Sequence, residues 1–227
     1  MYKYLLADND NTLMDFTLAE ARALREAMTI YHVQDDDETV AAYHRINDAQ
    51  WKALERGETT QDKLKVDRFV LFLEAIGRKD VDGAAMSECY EECLSHHAEM
   101  MEGAQAFLEQ VHDRGVKIAL VSNGISRIQR GRLSCCSFAH LLDAVIISSE
   151  IGVNKPDPRV VEAALAQLKC EDKQQAVLLG DSLTADVGAA RNAGVDSIWL
   201  SLKGGTSDLP TYTVTDLKQA AGIIIGE

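Results

Sequence analysis

The run Tyr2-Lys3-Tyr4-Leu5-Leu6-Ala7, followed at once by Asp8-Asn9-Asp10-Asn11-Thr12-Leu13, constrains the fold more than any other stretch of the chain. An almost unbroken apolar run that stops in polar residues reads as a strand buried on both faces. Such a strand is the centre of a parallel sheet, and its carboxyl end opens into a crevice. Asp8 and Asp10 stand at that edge, and a spacing of two puts both carboxylates on one side of an extended backbone. Two acids so close repel each other unless a cation or a shared proton relieves them. Taken alone, Asp-x-Asp is equally a turn, so the rest of the chain has to decide.

Residues 16–98 change character. Leu18, Ala21, Leu24, Ala27, Met28 and Tyr31 recur at helical spacing, and the acidic loop Gln34 to Glu38 ends the pattern. A second helix has Val40, Tyr43, Ile46 or Asn47, Trp51 and Leu54 as its stripe, Gly57 as its stop, and Thr59 or Thr60 as the next N-cap. A third runs to Gly77 through Leu64, Phe69, Leu73 and Ile76. A fourth starts near Asp82 and carries Met86, Cys89, Tyr90, Cys93 and Leu94. Four helices without a strand, inserted directly after the carboxylate loop, predict a small helical domain over 16–98. The remainder, 1–15 with 99–227, forms the main domain.

From Gly103 strand and helix alternate, the signature of βαβ units. Val116 to Val121 is a buried strand that runs into Ser122-Asn123-Gly124, where a hydroxyl and several N–H groups precede a helix and suit an anion. Ala144 to Ser148 is the next strand. It leads to Asn154-Lys155-Pro156-Asp157-Pro158, with Asp157 as N-cap and Pro158 as first helical residue. Ala176 to Leu179 delivers Gly180-Asp181, and Asp186 follows five residues on, near a helix start that favours negative charge. Ser197 to Leu200 and Thr211 to Val214 complete the sheet.

Four strand ends thus carry Asp8 and Asp10, Ser122, the loop to Lys155, and Asp181. In a doubly wound sheet these ends line one crevice, so three carboxylates, a hydroxyl and an ammonium gather about one point. Hard oxygen donors of this kind suit Mg²⁺, which keeps several waters and takes phosphate as a further ligand. With 227 residues, 46% of them hydrophobic, the chain can build one sizeable core and a smaller satellite. A formal charge of −13 without a Lys/Arg stripe argues against a nucleic acid polymer as partner. No apolar run is long enough to span a bilayer and the amino end lacks a signal pattern, so a cytoplasmic protein with no membrane partner is expected. Five cysteines without a Cys-x-x-Cys pair read as reduced thiols, and Cys89, Cys93 and His96 on one helical face read as packing.

Through Asp8-Asn9-Asp10-Asn11-Thr12, Ser122-Asn123-Gly124, Lys155-Pro156 and Gly180-Asp181 with Asp186, the sequence resembles the haloacid dehalogenase superfamily of phosphohydrolases along its whole length. The insertion resembles that family's helical cap. The resemblance implies an α/β fold, a doubly wound Rossmann-like parallel sheet with an inserted all-α cap. It further implies that Asp8 is the nucleophile forming an aspartyl phosphate, and that Asp10 is the general acid and then base. Ser122, Asn123 and Lys155 would hold the phosphoryl group of a small phosphorylated substrate. Asp8, the Asp10 carbonyl and Asp181 would ligate Mg²⁺, with Asp186 behind them. Phe16, Asn47, Trp51, Gly57 and Arg68-Phe69 resemble the pyrimidine 5′-nucleotidases within that superfamily, where Asn47 and Trp51 would contact the base. A sugar-phosphate, phosphoglycolate or sialic acid 9-phosphate phosphatase is the alternative. A 2-haloacid dehalogenase generally lacks the acid at the Asp10 position, and a non-catalytic phosphate-binding protein would not need every one of these groups.

Overall fold

In a computed structural model that describes residues 1–227, the side chain of residue 55 apart, the opening apolar run forms β1 (Tyr4–Ala7) inside a six-stranded sheet. The other strands are β2 (Lys117–Ser122), β3 (Ala144–Ile147), β4 (Ala176–Gly180), β5 (Asp196–Leu200) and β6 (Tyr212–Val214). Their order is β3-β2-β1-β4-β5-β6 and every pairing is parallel. The chain winds outward from β1 to β3, then returns to β1's other side to lay down β4. The direction of winding reverses there, and at such a point an open sheet leaves a crevice beyond its carboxyl ends. The register sets Ala7 opposite both Leu120 and Leu179, so the residues just after β1, β2 and β4 emerge side by side.

The helices between β1 and β2 are α1 (Phe16–Ile30), α2 (Asp37–Glu55), α3 (Gln61–Ala75), α4 (Gly83–Ser95) and α5 (Ala104–Asp113). After β2 come α6 (Ser126–Ser134), the single turn α7 (Ser148–Ile151), α8 (Pro158–Gln167), α9 (Gly188–Ala193) and α10 (Leu217–Ile225). The doubly wound reading requires two apolar faces, and alternation along the strands supplies them. Leu5, Ala7, Ile118, Leu120, Val177 and Leu179 pack with Phe107, Leu108 and Val111 of α5 and Ala221 and Ile224 of α10. Leu6, Ala119, Val121 and Leu178 face the other way, onto Val160, Val161 and Ala164 of α8 and Ala189 and Ala190 of α9. Each fully buried Leu, Ile or Val contributes about 1.5–3 kcal/mol relative to exposure, so this alternation is the main source of the sheet's stability.

The chain divides into two compact units, residues 1–17 with 98–227, and residues 18–97. Within the helical unit Tyr43, Phe69, Phe72 and Tyr90 are buried, and Tyr43 and Tyr90 each stand 5.2–5.3 Å from the Phe69 ring. Helix starts fall where the capping side chains stand. Asp36 accepts from the Thr39 N–H at 2.8 Å, Thr60 from Lys63 and Asp82 from Ala84. Asp157 accepts from Arg159 at 3.0 Å with Pro158 at the first helical position. Strand ends shift by a residue, β2 running on to Ser122, β5 starting at Asp196 and β6 at Tyr212, and α3 stops at Ala75, short of Gly77. Ser148, read as the end of β3, opens α7 instead, because Gly152 at φ +71° takes the left-handed conformation that closes a helical turn there. Among the described residues no helix is long and apolar enough to cross a membrane.

Candidate active site

The turn after β1 is built to hold carboxylates still. Asn9 O accepts from the Leu13 and Met14 N–H groups at 2.9 and 2.8 Å, and Asn11, at φ +59°, occupies a left-handed position that Asn tolerates. Asp8 is buried, its N–H bound to Leu179 O at the end of β4. Thr12 Oγ1 donates to Asp8 Oδ2 at 3.1 Å, and Lys155 Nζ donates to Asp8 Oδ1 at 2.6 Å.

Lys155 is itself buried, in the loop before α8, and the Lys155–Pro156 peptide is cis. Its three ammonium hydrogens are all engaged, on Asp8, on Asp186 Oδ1 at 2.6 Å and on Val121 O at 2.9 Å. Burial alone would lower its pKa. The carboxylates of Asp186 and Asp8 overcome that and hold it above the ordinary lysine value. Asn123 fixes the loop through both ends of its amide, accepting from the Lys155 N–H at 2.7 Å and donating to Lys155 O at 3.0 Å. Ser122 Oγ accepts from the Gly124 N–H at 3.0 Å, which leaves its own hydrogen available as a donor.

At the end of β4, Gly180 lets Asp186 lie directly over the backbone, since any Cβ there would overlap the Asp186 carboxyl. Asp186 Oδ2 accepts from the Ser182 N–H at 2.9 Å, and Trp199 Nε1 donates to Asp181 O at 2.8 Å. One carboxylate oxygen each of Asp8, Asp181 and Asp186 lies within 4.8 Å of the others. Desolvation, and then the neighbouring acids against the pull of Lys155, raises Asp8 well above the usual carboxylate range. Asp181 is exposed as a residue, yet loss of hydration at its carboxyl and the charge of Asp186 raise it to about 6. Three acids share one internal cation, so the cluster carries negative charge that a divalent ion on oxygen donors would balance.

Asp10 turns to different partners. Arg132 Nη1 donates to its Oδ1, and Gln129 Nε2 donates to its Oδ2 at 2.7 Å. Both donors sit on α6, fully buried, and neither was among the residues expected from sequence. The signal was present in outline. The inward face of α6 is Ile128, Gln129, Arg132 and Leu133, an apolar stripe interrupted by two long polar side chains.

Asn47 and Trp51, four residues apart on α2, belong to the helical unit. Asn47 is buried, donating to Glu20 Oε1 at 3.3 Å and accepting from Arg68 Nη1 at 3.0 Å. Trp51 is half-buried. Arg68 lies 5.3 Å from the Phe69 ring centre and 4.9 Å from that of Tyr90, so the Arg68-Phe69 pair is part of that unit's core.

A family model described as haloacid dehalogenase-like hydrolase matches residues 5–200. The chain belongs to the haloacid dehalogenase-like hydrolases. Among other members, it is similar to pyrimidine 5′-nucleotidase PynA of Streptococcus pneumoniae, 33% identical over 94% of this chain and 91% of that one. It is also similar to pyrimidine 5′-nucleotidase YjjG of Escherichia coli, 26% identical over 96% of each chain. The crystal structure of the haloacid dehalogenase-like hydrolase YfnB of Bacillus subtilis, bound to magnesium, superposes with a TM-score of 0.91 at 27% identity over 98% of both chains. As a haloacid dehalogenase-like hydrolase with these relatives, the chain is an enzyme of the phosphatase kind.

Proposed function

We propose that this hydrolase cleaves phosphomonoesters through an aspartyl phosphate on Asp8, and that its substrates are pyrimidine nucleoside 5′-monophosphates. The observation that carries the chemistry is the setting of Asp8. It is a buried carboxylate at the end of the central strand, oriented by Thr12 and Lys155, with two further acids within 4.8 Å. A carboxylate is a weak nucleophile, and attack on phosphorus becomes feasible when fixed positive charge neutralises the phosphoryl oxygens.

The residues divide the work. The all-oxygen cluster, negative in excess over Lys155, fits Mg²⁺, which Asp8, the Asp10 main-chain carbonyl and Asp181 would hold; when bound it supplies charge neutralisation at the phosphoryl oxygens. Asp8 forms its bond to phosphorus as the ester P–O bond breaks. Asp10 gives the leaving oxygen its proton and recovers one from the water that next attacks the acyl phosphate. Ser122 donates its free hydroxyl hydrogen to the phosphoryl group. Lys155, with every donor engaged at rest, reaches that group by exchanging its bond to Asp8 as Asp8 is consumed. Asp186 stays behind as the counter-ion that keeps Lys155 in place. Asn123 acts through the Lys155 loop, since its amide is taken there.

Choice of substrate is assigned to residues 16–98 acting as a cap, because the loops of the α/β unit address only phosphate. Trp51 offers a flat, partly exposed face on which a base can stack. The Asn47 amide is engaged by Arg68 and Glu20, so its part in the cap is to tie α2 to α3 and α1. The nucleotidase names and coverage of PynA and YjjG support this choice. A cytoplasmic enzyme acting on a small phosphorylated metabolite is the setting that agrees with it. The test is a panel of phosphomonoesters assayed with Mg²⁺ and after chelation. Uridine, deoxyuridine and thymidine 5′-monophosphates should give higher kcat/KM than AMP, GMP, phosphoglycolate or hexose phosphates, and chelation should abolish turnover. Preference for a sugar phosphate would overturn the nucleotide assignment, and full activity after chelation would overturn the metal.

A further inference from the structure

Resting on the reading of Asp10 as the proton-transfer group, we propose that Gln129 and Arg132 of α6 are positioning residues that lock the Asp10 carboxylate in the orientation from which it meets the leaving oxygen. Asp10 stands on a loop and its side chain is 26% exposed, so nothing in its own backbone prevents rotation of the carboxylate. Two donors approach from one helix and take one oxygen each, Arg132 on Oδ1 and Gln129 on Oδ2. Bound on both oxygens, the carboxylate keeps one plane and still has a second lone pair on each oxygen for the transferred proton.

The donors are fixed in turn. Arg132 is wholly buried and its guanidinium carbon lies 5.7 Å from the Phe16 ring centre. Gln129 Oε1 accepts from Asn9 Nδ2, which sets the amide so that its NH₂ faces Asp10. Gly124, in the turn after β2, makes room for this, since a Cβ there would fall 2.7 Å from Gln129 Cγ. The loops after β1 and β2 therefore converge, with α6, on one carboxylate orientation. A merely structural role is a weak account of these residues, because burying a guanidinium and an amide on the core face of a helix carries a desolvation cost that an apolar pair would avoid. The arrangement is explained when it serves a group whose position governs rate, as misplacement of about 1 Å costs on the order of 10²-fold.

The balance of the step is unchanged by this assignment. The proton on Asp10 passes to the ester oxygen as the bond from phosphorus to that oxygen breaks, and water later returns a proton to Asp10. Gln129 and Arg132 exchange none. Water activation in the second step is common to every ester, so their loss should discriminate by leaving group in kcat/KM, which covers only the steps up to the aspartyl phosphate.

The test compares 4-nitrophenyl phosphate, whose leaving group departs unprotonated, with UMP, whose leaving group is an alkoxide, in Arg132→Met, Gln129→Leu, Asp10→Asn and Asp10→Asn/Arg132→Met. Arg132→Met and Gln129→Leu should lower kcat/KM for UMP by about 10- to 10²-fold and for the nitrophenyl ester by less than about threefold, since kcat/KM stops at formation of the aspartyl phosphate. In the Asp10→Asn background the Arg132→Met change should add less than about threefold, because a residue that acts through Asp10 has nothing left to act on. Equal losses in kcat/KM on both esters, or a full additive loss in the double variant, would overturn the proposal. If Arg132→Met does not fold, as judged by thermal melting, Gln129→Leu alone decides by the same leaving-group contrast. Should Asp10→Asn itself lower kcat/KM equally for both esters, the proton-transfer reading of Asp10 falls and this inference with it. That result comes from a variant that leaves α6 untouched, so the two failures are distinguishable.

Discussion

Lys155 Nζ lies 2.6 Å from Asp186 Oδ1, and both side chains are 2% exposed. Asp186 faces a donor on each oxygen, the ammonium on one and the Ser182 N–H on the other. An amide in its place would turn its NH₂ onto a donor whichever way it was set. Asp186→Asn should therefore behave as a half-broken buried ion pair and lower the unfolding free energy by about 3–5 kcal/mol. Urea unfolding of the variant measures this, and a loss below about 1 kcal/mol would show that Asp8 alone suffices for Lys155.

If Asp8 is the nucleophile, acid quenching during turnover of a ³²P-labelled ester should trap phosphoprotein that hydroxylamine releases. Asp8→Asn, which keeps the shape but cannot form an acyl phosphate, should yield none and should turn over no substrate. Label retained on the variant would move the nucleophile elsewhere.

The acid cluster gives a stability profile with a definite sign. Asp181 titrates near 6 in the fold against an ordinary 3.8. A carboxyl raised on folding binds its proton more tightly in the native state, so its stabilising contribution is present below pH about 4 and is lost as pH rises through about 6. In protein stripped of divalent cations, the Tm advantage of wild type over Asp181→Asn should shrink between those limits. Added Mg²⁺ should raise the Tm of wild type most above pH about 6, since it binds only the ionised native cluster. A Tm difference that is flat with pH would remove Asp181 from the cluster.

Most of the candidate site's placement at the sheet edge is legible in the sequence. Buried strands that end abruptly in Asp8, Ser122 and Asp181 announce a sheet edge, because a parallel sheet leaves no other place for polar residues after long apolar runs. Lys155 was readable only as a member of that set. Gln129 and Arg132 were not readable, since their partner Asp10 lies 119 and 122 residues away and no periodicity encodes a contact that only the fold creates. Asn123 and Asn47 stand out in the sequence, but nothing in it says which way an amide spends its bonds. Asn123 spends them on the Lys155 backbone and Asn47 on Arg68 and Glu20.

For the helical unit, Trp51 and Asn47 should separate cleanly. Trp51→Ala should lower kcat/KM for pyrimidine nucleotides by the equivalent of about 1–3 kcal/mol while sparing 4-nitrophenyl phosphate, since it removes stacking and nothing at the phosphate. Asn47→Leu removes a hydrogen bond to a buried guanidinium and should instead lower Tm, at about 1.5–3 kcal/mol. Comparable losses on both esters in Trp51→Ala would return that side chain to packing.

The order β3-β2-β1-β4 bears on how the protein is made as well as on what it does. Synthesis delivers β1 before β2 and β4, and both of these neighbours arrive only after the whole of residues 18–97. During that interval Tyr4–Ala7 is an apolar segment with two open hydrogen-bonding edges, a template for unwanted pairing. The helices that follow it form through near-neighbour contacts and can fold early, whereas β1 waits for distant ones. The strand that later presents Asp8 is thus the segment of the nascent chain with the greatest need of shielding.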